Sequence, residues 1–208
     1  MNKVILFTEI KRKDEKMKWI ILNEQYLDFL RAFEKRIPRT DYGTDKYKPF
    51  FGILFETDDF AYVTQVSSPD KPRLKNLPEN IDFYKLYDPK KPTRLMSVVN
   101  LNYMFPVPKD EITYVTNYSI VDKLRTFKDE NQRSKYIYLL KKELSEINKK
   151  QLSEPAKHIY ANKVNAPNSK LANRCLNYKE LESKAYEWME FSKTKIRTAT
   201  SNENVEKN

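Results

Sequence analysis

Two apolar runs, Phe50–Phe55 and Ala61–Val66, stand on either side of a polar break at Glu56–Phe60. Their length, their content of Phe, Ile, Val and Tyr, and the Thr-Asp-Asp between them predict a β-hairpin. The second strand is predicted to stop at Ser67-Ser68-Pro69, because proline has no N–H to give to a sheet ladder. Two hydroxyls therefore end a strand, and Lys71, Arg73 and Lys75 follow at once. A rigid strand that delivers small hydroxyls into a basic loop is suited to holding a phosphate.

The rest of the chain is arranged around this hairpin. Before it, Trp19–Leu22 reads as a short strand. Asn23 reads as the N-cap of a helix with Tyr26, Leu27, Phe29, Leu30 and Phe33 at helical spacing, ended by Pro38. Arg39 to Pro49 is a loop carrying Tyr42, Lys46, Tyr47 and Lys48. Interleaved rings and cations suit single-stranded RNA, where bases stack and phosphates meet charge; a solvated loop has the same composition. After the hairpin comes a Pro-rich passage from Pro72 to Pro92. Ser97–Met104 then reads as a central strand stopped by Pro106 and Pro108, and Glu111–Asn117 as a further strand. From about Ser119 the chain turns helical: Ser134–Lys149 with its Lys and Glu residues on a charged face, Glu154–Val164, and Asn177–Lys193. Strands first and helices after predict an α+β fold with an antiparallel sheet.

Composition removes several chemistries. The 208 residues suit one domain with a real core. There are two glycines, Gly43 and Gly52, so the Gly-rich phosphate loops of nucleotide-binding folds are absent. One histidine, His158, and one cysteine, Cys175, cannot build a Cys/His zinc site or a disulfide within the chain. His158 reads as a partly exposed helical residue and Cys175 as packed beside the last helix. A single cysteine fits a reducing, cytoplasmic setting. No apolar run reaches the roughly 20 residues of a membrane span, and the N-terminus lacks the order of a signal peptide. The net charge of +10 favours an anionic partner, nucleic acid first. Residues 1–16 are nearly all charge after Lys11 and read as a dispensable extension, 17–195 as the working domain, and 196–208 as a polar, disordered tail.

Several blocks, taken in order, resemble the type III toxin–antitoxin endoribonucleases of the ToxN and AbiQ family. They are NEQYLDFLRAFEKRIP, KPFFGILFE, AYVTQVSSP, LNYMFPVP, YIYLLKKEL and RCLNYKELESKAYEW, spread over Met17 to about Trp188. The resemblance implies a strongly twisted antiparallel sheet with flanking helices, distantly similar to MazF-type toxins. It implies sequence-selective RNA cleavage without metal or cofactor, leaving a 2′,3′-cyclic phosphate. It also implies restraint by a small repeated pseudoknot RNA in a cyclic hetero-oligomer, with cellular and phage RNA as substrates and phage defence by growth arrest as the role. The family's strand-end motif falls on Ser67, Ser68 and Pro69; Asp70 then interrupts it as a one-residue insertion before Lys71, Pro72 and Arg73. The family's cation before its first hairpin strand falls on Lys48, and its loop tyrosine on Tyr42 or Tyr47.

On that resemblance Lys48, Ser67, Ser68 and Lys71 are the candidate catalytic residues. Tyr42, Lys46, Tyr47, Arg73 and Lys75 are the candidate RNA-binding residues, and no metal ligand is assigned. Lys48 and Lys71 would stabilise charge building on the phosphorane, and either could serve as acid. Ser68, and with it Ser67, would hydrogen-bond the scissile phosphate or relay a proton. A non-catalytic RNA- or DNA-binding protein of similar fold is the alternative, and growth arrest on expression separates the two.

Overall fold

The computed structural model describes residues 16–41, 48–69 and 72–205. Seven strands form one antiparallel sheet, flanked by six α-helices, an α+β architecture as the sequence predicts. The elements in order are β1 (Trp19–Leu22), α1 (Glu24–Phe33), β2 (Phe50–Glu56), β3 (Phe60–Ser67), α2 (Pro72–Asn76), β4 (Phe83–Asp88), β5 (Lys91–Asn100), β6 (Phe105–Pro108), β7 (Ile112–Tyr114), α3 (Val121–Leu124), α4 (Glu130–Lys150), α5 (Ser153–Asn165) and α6 (Tyr178–Val205). The strand order is β4-β5-β3-β2-β1-β7, with β6 also on β3, and the sheet is open.

The predicted hairpin is the middle of this sheet. Thr57 closes its turn, with the Phe60 N–H donating to Thr57 Oγ1 at 3.1 Å and the Thr57 N–H to the Phe60 carbonyl at 2.8 Å. Strand β3 is buried from Phe60 to Gln65, which explains its unbroken apolar run. It is shared by two partners: Phe60–Val63 pair with β6, and Val66 and Ser67 pair with Val99 and Val98 of β5. Asn23 caps α1 as expected, its side chain accepting from the Gln25 N–H at 3.0 Å. That helix ends at Phe33, four residues before the space that Pro38 allows, because Glu34 turns into an extended conformation.

Four expectations are corrected. The Pro-rich passage 72–92 holds α2, all of β4 and the start of β5. The strand expected at Ser97–Met104 is Lys91–Asn100, followed by one 3₁₀ turn at Leu101–Tyr103. Pro106 and Pro108 do not stop a strand; they lie within β6, opposite Tyr62 and Phe60. In an antiparallel pair only alternate residues exchange hydrogen bonds with a given neighbour, so two prolines spaced by two are accommodated on β6, which among the described residues pairs with β3 alone. Helix α6 continues beyond Lys193, and residues 196–205, expected as tail, are helical in backbone.

Helices α4, α5 and α6 cover the sheet. The Trp19 indole N–H donates to the Leu140 carbonyl of α4 at 3.0 Å. Phe55 and Tyr62 stack at 4.7 Å, and Tyr160 of α5 and Tyr178 of α6 meet Tyr62 edge-on. The Tyr62 and Tyr160 hydroxyls both donate to Glu182 Oε1 at 2.7 Å, so the rings are buried with their polar ends satisfied. His158 is exposed on α5, and Cys175 is buried at 3.4 Å from Asn102 Oδ1. Among the described residues no helix is long and apolar enough to cross a membrane.

Candidate active site at the end of the central hairpin

Apolar residues dominate the core, but polar residues are buried within it. Thr64 and Gln65 of β3, Ser97 of β5, Thr40 before β2 and Glu143 of α4 are among them, with Asp82, Asp88 and Asn102. Buried polar groups are the informative exceptions in a protein interior, because each must be satisfied or it costs stability. Gln65 is satisfied by backbone: its amide donates to the Arg39 carbonyl at 2.9 Å and to the Lys48 carbonyl at 2.7 Å. The Lys48 N–H in turn donates to the Thr40 carbonyl at 2.6 Å. These bonds fix the backbone on which Lys48 enters β2.

The register then decides which side chains share a face. In β2 and β3, Phe51 opposes Gln65 and Gly52 opposes Thr64. Continued three residues past its last pair, beyond the ends of both strands, that pairing would set Lys48 opposite Ser68. In β3 and β5, Val66 opposes Val99 and Ser67 opposes Val98, so one further step places Ser97 opposite Ser68. Leu86 of β4 opposes Ser97. Residues directly opposite share a face, and neighbours along a strand alternate. On that continuation Lys48, Ser68 and Ser97 fall in one cross-strand row on one face, and Ser67 on the other with Gln65. The pair of hydroxyls that the sequence presents as equivalent is divided between the two faces. Lys48, Ser67 and Ser68 are all half-buried, whereas Ser97 is buried.

Arg73 and Lys75 lie on α2, a single turn opened by Pro72, and both are exposed. They follow the end of β3 by a few residues along the chain. The Lys75 carbonyl accepts from the Lys85 ammonium of β4 at 2.6 Å, which ties this turn to the sheet. Tyr42, Lys46, Tyr47 and Lys71 lie outside the described residues.

One residue was missed. Glu143 stands in sequence at the same helical spacing as Leu140 and Ile147, yet the Lys and Glu residues of that helix are read together as a charged face; it is 8% exposed on α4, in line with those two buried residues. Burial pushes its carboxyl up to about 7, against the opposing pull of Ser97 and of the Lys48 charge. The signal was present: residues 136, 140, 143 and 147 follow the same i, i+3, i+4 stripe, and a carboxylate on a stripe is not a surface residue. Among the described residues no three His, Cys, Asp or Glu side chains converge as a metal site would require.

Residues 18–186 match the family model described as toxin ToxN of the type III toxin–antitoxin system. The chain is 24% identical over 98 residues to the endoribonuclease ToxN of Pectobacterium atrosepticum, covering 47% of this chain and 57% of that relative. The chain therefore aligns with little more than half the length of that curated relative. Its fold is similar to that of AbiQ, a lactococcal anti-phage endoribonuclease of a type III system, with TM-score 0.65 and 14% identity over 85% of this chain and 99% of that one. It is equally similar, at TM-score 0.65 and 17% identity over the same shares, to a structure from work on toxin inhibition by a non-coding RNA pseudoknot. A third structure, from work on a processed non-coding RNA that regulates a bacterial antiviral system, aligns with TM-score 0.63 and 18% identity over 82% of this chain and 98% of that one.

Proposed function

The chain belongs to the ToxN family of type III toxin–antitoxin toxins, and from that premise we propose that it is an endoribonuclease whose active site is the row Lys48–Ser68–Ser97. The observation that supports the reading is the register of the central strands, which, continued past its last pairs, sets the family's pre-strand cation across from its strand-end hydroxyl.

The reaction is a transesterification within the RNA. The substrate's own 2′-oxygen attacks the adjacent phosphorus, the P–O5′ bond breaks, and the product keeps a 2′,3′-cyclic phosphate. The 2′-hydroxyl gives up one proton and the departing 5′-oxygen takes one, so the sum of charge is unchanged. What the protein supplies is donors and cations aimed at the phosphorane, where negative charge accumulates; such preorganised groups are usually the largest catalytic term. Ser68 donates to a non-bridging oxygen. Lys48, with Lys71 beyond the strand end, stabilises the added charge or delivers the proton to the leaving oxygen, a transfer that typically contributes about 10²–10⁴-fold. Arg73 and Lys75 attract the flanking phosphates, and Tyr42 or Tyr47 stacks on a base. No step draws on a metal or cofactor.

The partner is a small repeated RNA pseudoknot that occupies the same basic surface and closes with the toxin into a cyclic hetero-oligomer. Cellular and phage RNAs are the substrates when that restraint is lost. The reading is tested by expression in bacteria without the antitoxin. The wild-type chain arrests growth; Lys48→Ala and Ser68→Ala each relieve the arrest at equal protein level. Arrest that persists in both variants contradicts the assignment of the site.

A further inference from the structure

Strand β5 outruns its partner β3. It spans Lys91 to Asn100, but β3 pairs with it only at Val98 and Val99. Among the described residues, the part of β5 before Val98 pairs with β4 alone. The β4–β5 ribbon therefore projects past the end of β3 by up to about 20 Å, at roughly 3.3 Å per residue. Its tip is pinned. Buried Asp88 accepts from the Lys142 ammonium of α4 at 2.7 Å and from the Lys90 N–H at 3.0 Å, and Arg94 stands 3.6 Å from its other oxygen. The β4–β5 pairing also slips twice, between Leu86 and Tyr87 and between Tyr87 and Asp88. Such irregularities twist a ribbon and re-aim its side chains, often beside active sites.

The ribbon tip shares a face with the proposed site. Leu86 opposes Ser97, and along β4 Leu86 and Asp88 are buried while Tyr87 between them is exposed. Asp88 thus lies on the Ser97 face, and Lys142 meets it there. Lys90, Lys91 and Arg94 are exposed, and among the described residues neither Lys90 nor Lys91 forms an ion pair. Tyr138 of α4, 49% exposed, lies with its ring 4.5 Å from the Lys142 ammonium. Exposed rings beside cations on a firm support suit single-stranded nucleic acid, the rings taking bases and the cations phosphates. Charge on an open strand edge also keeps it from pairing with another chain. That role is met by charge of either sign, whereas RNA requires positive charge.

We propose that the β4–β5 ribbon guides the RNA strand flanking the scissile phosphate, with Lys90, Lys91 and Arg94 on its phosphates and Tyr138 stacked on one of its bases. The inference rests on the proposed site at Lys48 and Ser68, past which the ribbon projects. These four side chains hold the strand away from the reacting phosphate, so their loss is read in affinity and KM.

The test uses the full chain and a single-stranded RNA carrying 2′-O-methyl groups throughout, which lacks the attacking hydroxyl. The triple variant Lys90→Ala, Lys91→Ala, Arg94→Ala should bind it with a log–log salt slope shallower by about 2, at about 0.7 per phosphate contact. Lys90→Glu with Lys91→Glu, which keeps the edge charged, should also bind more weakly than the wild type. Tyr138→Ala should weaken binding about 5- to 150-fold and leave the slope as it is. Removing three cations that pair with carboxylates on α5 and α6, by Lys157→Ala, Lys184→Ala and Lys193→Ala, should leave the slope as in the wild type. On the same strand with free 2′-hydroxyls, the ribbon triple should raise KM with kcat held within about twofold. A ribbon triple with the wild-type slope overturns the inference. So does a Lys90→Glu, Lys91→Glu variant that binds like the wild type, or a ribbon triple that self-associates with its RNA affinity intact. Wild-type protein that shows these binding effects and never cleaves the free strand overturns the proposed function and leaves the RNA surface standing.

Discussion

Ser67 and Ser68 are neighbours in the chain but face opposite ways across β3, and only Ser68 shares a row with Lys48. The consequence is asymmetric. Ser68→Ala should lower kcat on RNA by about 10²-fold or more, the range seen when a donor to a developing oxyanion is removed. Ser67→Ala should stay within a few-fold, because its side chain belongs to the Gln65 face. Single-turnover cleavage by both variants checks this, and equal losses would contradict the register. Glu143 carries a separate stability prediction. Its carboxyl titrates at about 7 in the folded chain against an ordinary 4.5. The folded state therefore binds the proton more tightly than the unfolded one. Its contribution to stability is full below 4.5 and is lost as pH rises through the folded value. Relative to Glu143→Gln, the wild type should lose on the order of 3 kcal/mol between pH 4.5 and 8. Denaturant titrations of both proteins across that range measure it, and parallel curves would refute it. At this scale sequence named the reactive types and missed their orientation. The end of β3 at Ser67 was legible because it is written in Ser-Ser-Pro. The division of the two serines needed a register, and Glu143 was hidden by the habit of reading charged helical residues as surface.

Among the elements, the hairpin was legible and the sheet around it was less so. Apolar runs broken by Thr-Asp-Asp have few other solutions, whereas β4 is interrupted in pattern and lies in a passage rich in proline. Phe105–Pro108 defeats the usual rule because, among the described residues, its prolines face one neighbouring strand, β3. The hairpin also depends on Gly52. A Cβ built there would lie 2.3 Å from Met17 Sδ, well inside any contact distance. The obstructing atom belongs to the outer part of a flexible, half-buried side chain that can swing aside, so Gly52→Ala should cost about 1 kcal/mol, the low end of the range for overpacking, and less in a Met17→Ala background, where that space is vacated. A double-mutant cycle of thermal stabilities measures the coupling; additivity would show that the contact is relaxed by other means. Met17 is itself held to α4, its N–H donating to Asn148 Oδ1 at 2.7 Å and its carbonyl accepting from Asn148 Nδ2 at 3.2 Å. A chain that begins at Met17 keeps both partners, because its terminal amine still donates. Such a chain should fold, bind the RNA antitoxin and arrest growth; loss of several kcal/mol of stability would show that residues 1–16 belong to the fold.

At the scale of the whole molecule, the charge of +10 sets how the protein meets RNA. Affinity for the antitoxin should fall with salt by a log–log slope of about −0.7 for each single-strand phosphate neutralised. Lys48→Ala and Arg73→Ala should each reduce that slope if they meet a phosphate. Truncating Tyr42 or Tyr47 should cost about 1–3 kcal/mol where the ring stacks on a base, with little effect on the slope. The strand-then-helix order made the α+β class legible from sequence, and the ordered blocks made the family legible. The depth of the site was not, because it depends on α4 returning from far along the chain to cover the end of the hairpin. The central claim is that this covered strand end, Lys48 across from Ser68, cleaves RNA through the substrate's own 2′-oxygen. The most direct measurement is the chemistry of the product ends after incubation of a single-stranded RNA with purified protein in excess EDTA. The account predicts cleavage with a 2′,3′-cyclic phosphate on one fragment and a 5′-hydroxyl on the other, slowed about 10²-fold or more by Ser68→Ala. Strict dependence on added magnesium, or a 3′-hydroxyl at the cut, would contradict it.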